Sequence, residues 1–172
     1  MNQAFRLIFK SRFGEMELAA TARGLYSLAF RRRREERGAR EKIPGRVASL
    51  LHSSAIRIRA FLAGQRVDLR HLPVDWRGSS PFERKVLERL RQIPRGQTKT
   101  YGALARWVGK PGAARAVGQV LHKNRLPFVI PCHRILPQSG GVGRFSKGPR
   151  LKKELLKLEG AWADTKLKLR RP

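Results

Sequence analysis

Apolar positions alternate along the first thirty residues and then change period. The stretches "FRLIF" and "EMELAATARGLYSLAF" are broken by "RFG" and "ARG", and glycine in such short breaks signals a turn. The pattern predicts three short strands over residues 4–10, 14–21 and 24–30, joined as an antiparallel meander. "RRRREERGAR" over 31–40 reads as a solvated loop or helix end, the default for a charge run. Val47, Leu50, Leu51, Ile58, Phe61 and Leu62 then recur at near-helical spacing, with Gly64 as the stop. "LRHLPVDWRGSS" over 69–80 carries Pro, Gly and Ser and reads as a linker.

Beyond it the helical signals sharpen. In "SPFERKVLERLRQIPRG" Ser80 stands as N-cap, Pro81 at the first helical position and Glu83 three residues after the cap. That is a capping box, in which two orphan N–H groups are satisfied at once. Phe82, Val86, Leu87, Leu90 and Ile93 make one apolar stripe, which Pro94, Arg95 and Gly96 terminate. "TKTYGALARWVGKPGAARAVGQVLHKN" splits into two short helices at Gly109-Lys110-Pro111-Gly112. Thr100 caps the first, whose apolar positions are Leu104, Trp107 and Val108; the second carries Ala113, Ala114, Ala116, Val117, Val120 and Leu121. Two short helices about a Gly-containing turn form a helix-turn-helix pattern, although an αα-hairpin that only fills a core has the same signature.

Charge changes the picture. The 172 residues contain 39 Lys+Arg against 12 Asp+Glu, a net charge of +27. Such an excess repels itself and points to a polyanionic partner such as nucleic acid, with a merely solvated basic surface as the plainer alternative. An anionic membrane fits less well, because no amphipathic helix joins a basic face to aromatic anchors. The second helix of the pair presents Ala113, Ala114, Gly118 and a single Arg115. Small residues suit close approach to a narrow groove better than readout of major-groove base edges.

The single cysteine cannot form an intramolecular disulfide, so a reducing cytosol fits better than secretion. No segment approaches 18 apolar residues, and "MNQAFRLIFKSRFG" has no long apolar region, so the expectation is a soluble, cytoplasmic protein. Four scattered histidines and one cysteine make no recognisable zinc cluster.

That cysteine lies in "FVIPCHRIL", residues 128–136. The thiolate is the nucleophile, so a reactive cysteine needs something to lower its pKa. His133 is adjacent, but neighbouring side chains of an extended segment point to opposite sides, so coupling should pass through water or a turn. A histidine acting as base also wants an orienting acid. After residue 100 the acids are Glu154, Glu159 and Asp164; Glu159 ends the "LKKELLKLEG" helix, and Glu154, mid-helix among lysines, reads as their solvated partner. Taken alone, the Cys-His pair leaves open that Cys132 is a small buried hydrophobe and His133 a core histidine.

"IPCHRI" following "GAARAVG", then "GGVGRFSKG" and "LLKLEG", resembles the O6-alkylguanine-DNA alkyltransferases, also called methylated-DNA–protein-cysteine methyltransferases. The likeness is strong over nearly half the chain, from Pro81 to Glu159; before that it rests on the strand pattern and "ARGLYSLAF". The resemblance implies a ribonuclease-H-like N-terminal α/β domain with an antiparallel sheet over 1–75, a linker to about 79, and a winged-helix-like domain with a helix-turn-helix over 80–172. It implies that Cys132 is the alkyl acceptor, His133 the base reaching it through water, and Glu159 the acid that holds the histidine. Asn124 would brace the active-site turn, and Tyr101 would contact the extruded guanine and support its protonation. Arg115 would fill the base stack beside Ala113 and Ala114, while main chain around Ile135 and Ser146 reads the base edge and Phe145 walls the pocket. No metal and no cofactor are expected. The implied partner is double-stranded DNA containing O6-alkylguanine, met through the minor groove by a monomer, with no membrane.

An alkyl group on O6 cannot be reached inside a duplex, so the base must be rotated out. The thioether product has no group set up to cleave it, so each molecule should act once. The sequence departs from the family at Phe145, where many relatives carry tyrosine, at Arg125, where proline is common, and at Lys147, where glycine is frequent; the two cations are expected near the pocket mouth. Trp76, Trp107 and Trp162 read as packing, and "TKLKLRRP" as a basic tail. A non-catalytic helix-turn-helix DNA-binding protein is the alternative. A cysteine hydrolase using Cys132 and His133 is a third reading, which leaves the charge and the helix pair unexplained.

Overall fold

The computed structural model describes residues 3–31 and 42–162, so most of the 31–40 charge run and the basic tail lie outside the described residues. These divide into two compact units: the chain up to Arg77 together with Arg125–Val129, and Gly78–Asn124 together with the chain from Ile130 onward.

In the first unit the predicted meander is present as β1 (Phe5–Ser11), β2 (Gly14–Thr21) and β3 (Gly24–Phe30), in the order β1-β2-β3, antiparallel throughout. Leu7 faces Leu18 across one ladder and Leu18 faces Leu28 across the next. Helix α1 (Gly45–Leu62) buries Val47, Leu51, Ile58, Phe61 and Leu62, one stripe at helical spacing. The 69–80 segment is not a free linker. Leu69, Leu72 and Asp75 are buried, and the chain clasps β3 through Leu25 N–H to Pro73 O and Asp75 N–H to Leu25 O, each 2.8 Å. Asp75 also accepts from Thr21 Oγ1 at 2.7 Å. Composition marks turns correctly, but it does not reveal that a turn-rich segment pairs with a strand edge.

Arg125–Val129 returns to this unit. Phe128 adopts a left-handed backbone, φ 74°, which a bulky residue holds only when its surroundings insist. Its ring lies 6.4 Å from those of Phe30 and Phe61.

The second unit is mainly helical. Helix α2 (Pro81–Arg91) starts with both halves of the capping box: Ser80 Oγ accepts from Glu83 N–H at 3.2 Å and Glu83 Oε2 accepts from Ser80 N–H at 2.8 Å. Strand β4 (Lys99–Thr100) leads into α3 (Tyr101–Trp107), which Thr100 caps through Ala103 N–H. A turn over 108–113 then leads to α4 (Ala114–His122). A 3₁₀ turn, Cys132–Arg134, feeds β5 (Ile135–Leu136), which pairs parallel with β4, and α5 (Pro149–Leu158) closes the unit. Trp162 packs against a cluster of Leu136, Leu156 and Ala161, and Trp76 is half-buried. Trp107, read as a packing residue, is 36% exposed. The α3 stripe is completed instead by Ala105, buried beside Leu104 and Val108. No helix among the described residues is long and apolar enough to cross a membrane.

Candidate active site

An open cleft of about 980 Å³ lies in the helical unit, lined by Tyr101, Arg115, Gly118, Cys132, Phe145 and Ser146 among others. Cys132 sits on its wall, only 5% exposed. The sequence suggested an extended segment here, but the chain turns. Ile130 O accepts from Cys132 N–H at 2.8 Å and Pro131 O from Arg134 N–H at 3.0 Å. The Pro131 ring limits the local backbone and the 3₁₀ turn begins at the cysteine.

Asn124 braces that turn. Its Nδ2 donates to Ile130 O at 2.9 Å and to Cys132 Sγ at 3.2 Å. Burial pushes the Cys132 thiol up; the Asn124 amide, the charge of Lys152 and backbone N–H groups of Cys132 and His133 pull against it. The resting group is a thiol, surrounded by donors and one cation that favour the thiolate once its proton leaves.

Behind the cysteine runs a buried chain of charge. His133 is fully buried, and its Nε2 lies 2.9 Å from Glu159 Oε1. An ionised carboxylate only accepts, so the histidine proton sits on Nε2 and Nδ1 is the basic nitrogen. Burial lowers the His133 pKa, with Glu159 opposing, so the imidazole is neutral at pH 7. Arg134 grips the same carboxylate with two arms, Nε to Oε2 at 2.8 Å and Nη2 to Oε1 at 2.7 Å. Burial raises the Glu159 carboxyl, but His133 and Arg134 outweigh it and hold the pKa at about 2.

Two members of this arrangement escaped the sequence reading. Arg134 is 6% exposed and Lys152 1% exposed, where lysine is found only when its ammonium is held. Lys152 Nζ donates to Ile135 O at 2.6 Å, and burial lowers its pKa to about 8 with Cys132 opposing. A signal was present: Lys152, Leu155, Leu156 and Glu159 fall at i, i+3, i+4 and i+7, one face of α5. Lys153, one residue on, is half-buried at the edge of that face.

Tyr101 opens α3 and lines the cleft; burial, reinforced by Cys132, raises its phenol pKa. Arg115 projects from the first turn of α4 and is exposed. At Gly118, which lines the cleft, a β-carbon would stand 3.8 Å from the Tyr101 ring, an ordinary van der Waals contact. The structure thus gathers Cys132, Tyr101, Arg115, Phe145 and Ser146 on one cleft; Asn124 bonds to Cys132, and His133 and Glu159 are buried and bonded to each other, outside the lining. Ala113 and Ala114, at the start of α4, and Ile135, buried in β5 with its carbonyl engaged by Lys152, are not among its lining residues. Nor are Arg125 and Lys147, although Lys147 lies in the segment between the lining residues Ser146 and Pro149. Arg125 instead donates to Arg77 O at 2.7 Å and lies 4.5 Å over the Tyr26 ring. No group of three or more His, Cys, Asp or Glu side chains suited to a metal occurs among the described residues.

The fold and site together define a class: an antiparallel-sheet unit, and a helical unit in which a short helix pair borders a cleft over one buried, donor-surrounded thiol. Residues 81–161 match the family model for the 6-O-methylguanine DNA methyltransferase DNA-binding domain. The chain is 30% identical over 159 residues to the methylated-DNA–protein-cysteine methyltransferase of Methanosarcina acetivorans, covering 90% of this chain and 97% of that relative. It is 41% identical over 103 residues to the protein of that name from Methanothermobacter thermautotrophicus, covering 60% of this chain and 57% of the relative. Among solved structures, Mycobacterium tuberculosis OGT in complex with DNA matches with a TM-score of 0.73 and 29% identity, over 89% of this chain and 91% of that one. The chain belongs to the methylated-DNA–protein-cysteine methyltransferase family.

Proposed function

We propose that this protein repairs DNA by direct reversal, moving the alkyl group of O6-alkylguanine irreversibly onto Cys132. The observation that carries the reading is the Cys132 thiol itself, held by Asn124 at the wall of a cleft lined by Arg115 and Tyr101 and backed by the His133–Glu159 pair. Duplex DNA is the partner. Its minor groove receives the small-residue face of α4 around Ala113 and Ala114, and Arg115 fills the gap left by the flipped nucleotide. The N-terminal unit is read as a ribonuclease-H-like domain over 1–75 and the remainder, 80–172, as a winged-helix-like one. The protein works as a cytoplasmic monomer without metal or cofactor.

The chemistry follows from the protonation states. Neutral His133 takes the Cys132 proton through a water, and Glu159 with Arg134 steadies the imidazolium formed. The thiolate, supported by Asn124 N–H and Lys152, attacks the alkyl carbon. An S–C bond forms, the C–O6 bond breaks, and its electron pair goes to guanine O6. Tyr101 donates toward the departing base, a role that suits a phenol whose raised pKa keeps its proton in place. Main-chain groups near Ser146 read the guanine edge, with Phe145 as an apolar wall. The thioether cannot be attacked again, so one molecule serves one lesion.

The test is intact mass after incubation with an oligonucleotide carrying one O6-methylguanine, followed by peptide mapping. The expected result is one added methyl per protein, on the Cys132 peptide. DNA retained without an adduct would make the protein a non-catalytic DNA-binding member of the family.

A further inference from the structure

Trp107 ends α3 exposed, and it is not alone. The Arg89 guanidinium lies 5.7 Å and Lys99 Nζ 5.3 Å from the centre of its ring. Arg89 comes from α2 and Lys99 from β4, so three elements of one unit converge on this indole. Lys85 stands one turn before Arg89 on the same side of α2, and its Nζ is 3.9 Å from the position a β-carbon on Gly109 would take.

No carboxylate is paired with Lys85, Arg89 or Lys99 among the described residues. Arg89 donates to the Gln92 amide oxygen at 3.1 Å. The nearby acids of α2 are engaged elsewhere, Glu88 with Arg84 at 2.8 Å and Glu83 in the capping box and within 4.0 Å of Lys123. None of Lys85, Arg89, Lys99 and Trp107 lines the Cys132 cleft.

Three like charges gathered without a counter-charge repel one another, and the ring face compensates by attracting two of them. The indole also restrains long side chains whose rotamer freedom would otherwise be lost on binding. The result is a pre-set group of cations complementary to a polyanion. Because cations lie over the ring, the group offers salt links to phosphates rather than a free face for stacking a base.

We propose that Lys85, Arg89, Lys99 and Trp107 form a second DNA-contact surface that grips the phosphodiester backbone outside the nucleotide held over Cys132. The proposal rests on the DNA-repair reading above.

The experiment measures affinity for an undamaged duplex across a range of salt, by fluorescence anisotropy. Each phosphate contact adds about −0.9 to the slope of log K against log[salt]. The triple variant Lys85→Gln, Arg89→Gln, Lys99→Gln should therefore show a slope shallower by about 2–3. Lys85→Gln alone, at an exposed position, should make it shallower by about 1, which keeps the test sound if the triple variant folds poorly. A control set, Arg46→Gln, Arg57→Gln, Arg59→Gln, removes the same charge from exposed positions of α1 and should leave the slope unchanged. Equal losses in both sets would mean that net charge acts diffusely and would overturn the proposal. An unchanged slope in the patch variants would overturn it as well, and is the result expected if an acidic protein occupies the patch. Methylation of Cys132 in the wild-type protein is scored separately. An adduct with unaltered patch slopes sinks this surface alone, and altered slopes without an adduct sink the chemistry alone.

Discussion

Replacing Glu159 by glutamine keeps the shape of the side chain and removes its charge from a site only 7% exposed. The carboxyl ordinarily titrates at 4.5 and here at about 2, and each unit corresponds to about 1.36 kcal/mol. The ionised group therefore contributes about 3 kcal/mol at neutral pH. That agrees with the 3–5 kcal/mol expected when one partner of a buried ion pair is removed. For a chain of this length 1 kcal/mol shifts Tm by roughly 2–4 °C, so Glu159→Gln should melt roughly 6–12 °C lower at pH 7. The pH dependence carries a second signature. A carboxyl with a depressed pKa stabilises fully above its unfolded value and loses that contribution as pH falls through the folded one. The gap between wild type and variant should thus be complete above pH 4.5 and close toward pH 2. Melting followed by circular dichroism from pH 7 down to pH 2 tests this. A gap below about 1 kcal/mol at pH 7, or one that persists undiminished to pH 2, would refute the assignment of the buried charge to Glu159.

Lys152→Met removes the cation that favours the Cys132 thiolate, so iodoacetamide should modify Cys132 roughly tenfold more slowly at pH 7. The difference should narrow above about pH 8, where Lys152 itself loses its proton; equal rates at pH 7 would count against the coupling. Ser80→Ala deletes one half of the capping box and should cost about 1 kcal/mol in denaturant titrations. Gly24→Ala places a β-carbon 2.8 Å from the Pro73 carbonyl at a φ of 145°. Combined strain and overpacking should destabilise the first unit by about 3 kcal/mol, read as accelerated amide exchange in β3 and α1.

Features held within a few residues of chain were legible in the sequence. The α2 capping box is an i to i+3 arrangement, and the meander is an alternation broken by glycine turns, so each is specified locally. The α3–α4 order follows from helical spacing and from Thr100 as a cap. The pairing of His133 with Glu159 spans 26 residues and was legible only because the motifs around both resemble a known family. What depends on packing was not legible. Nothing local separates Lys152 from Lys153 except helical phase, yet Lys152 is buried where its charge favours the Cys132 thiolate, while Lys153 is only half-buried. Arg134 could have been a surface arginine; it becomes half of a buried ion pair because Glu159 returns to it through α5.

Trp107 shows the opposite error: an apolar residue at a core-compatible spacing is left outside because Ala105 and Val108 already complete the stripe. The 69–80 segment and Arg125–Val129 make the same point for the backbone. Their residues read as turn and loop, and only the folded chain supplies the strand edge and the aromatic rings against which they settle. Spacing along a chain determines which groups can share a face. Which of those faces is closed to water, and so which charges are shifted, is decided by long-range contacts that no short window of sequence contains.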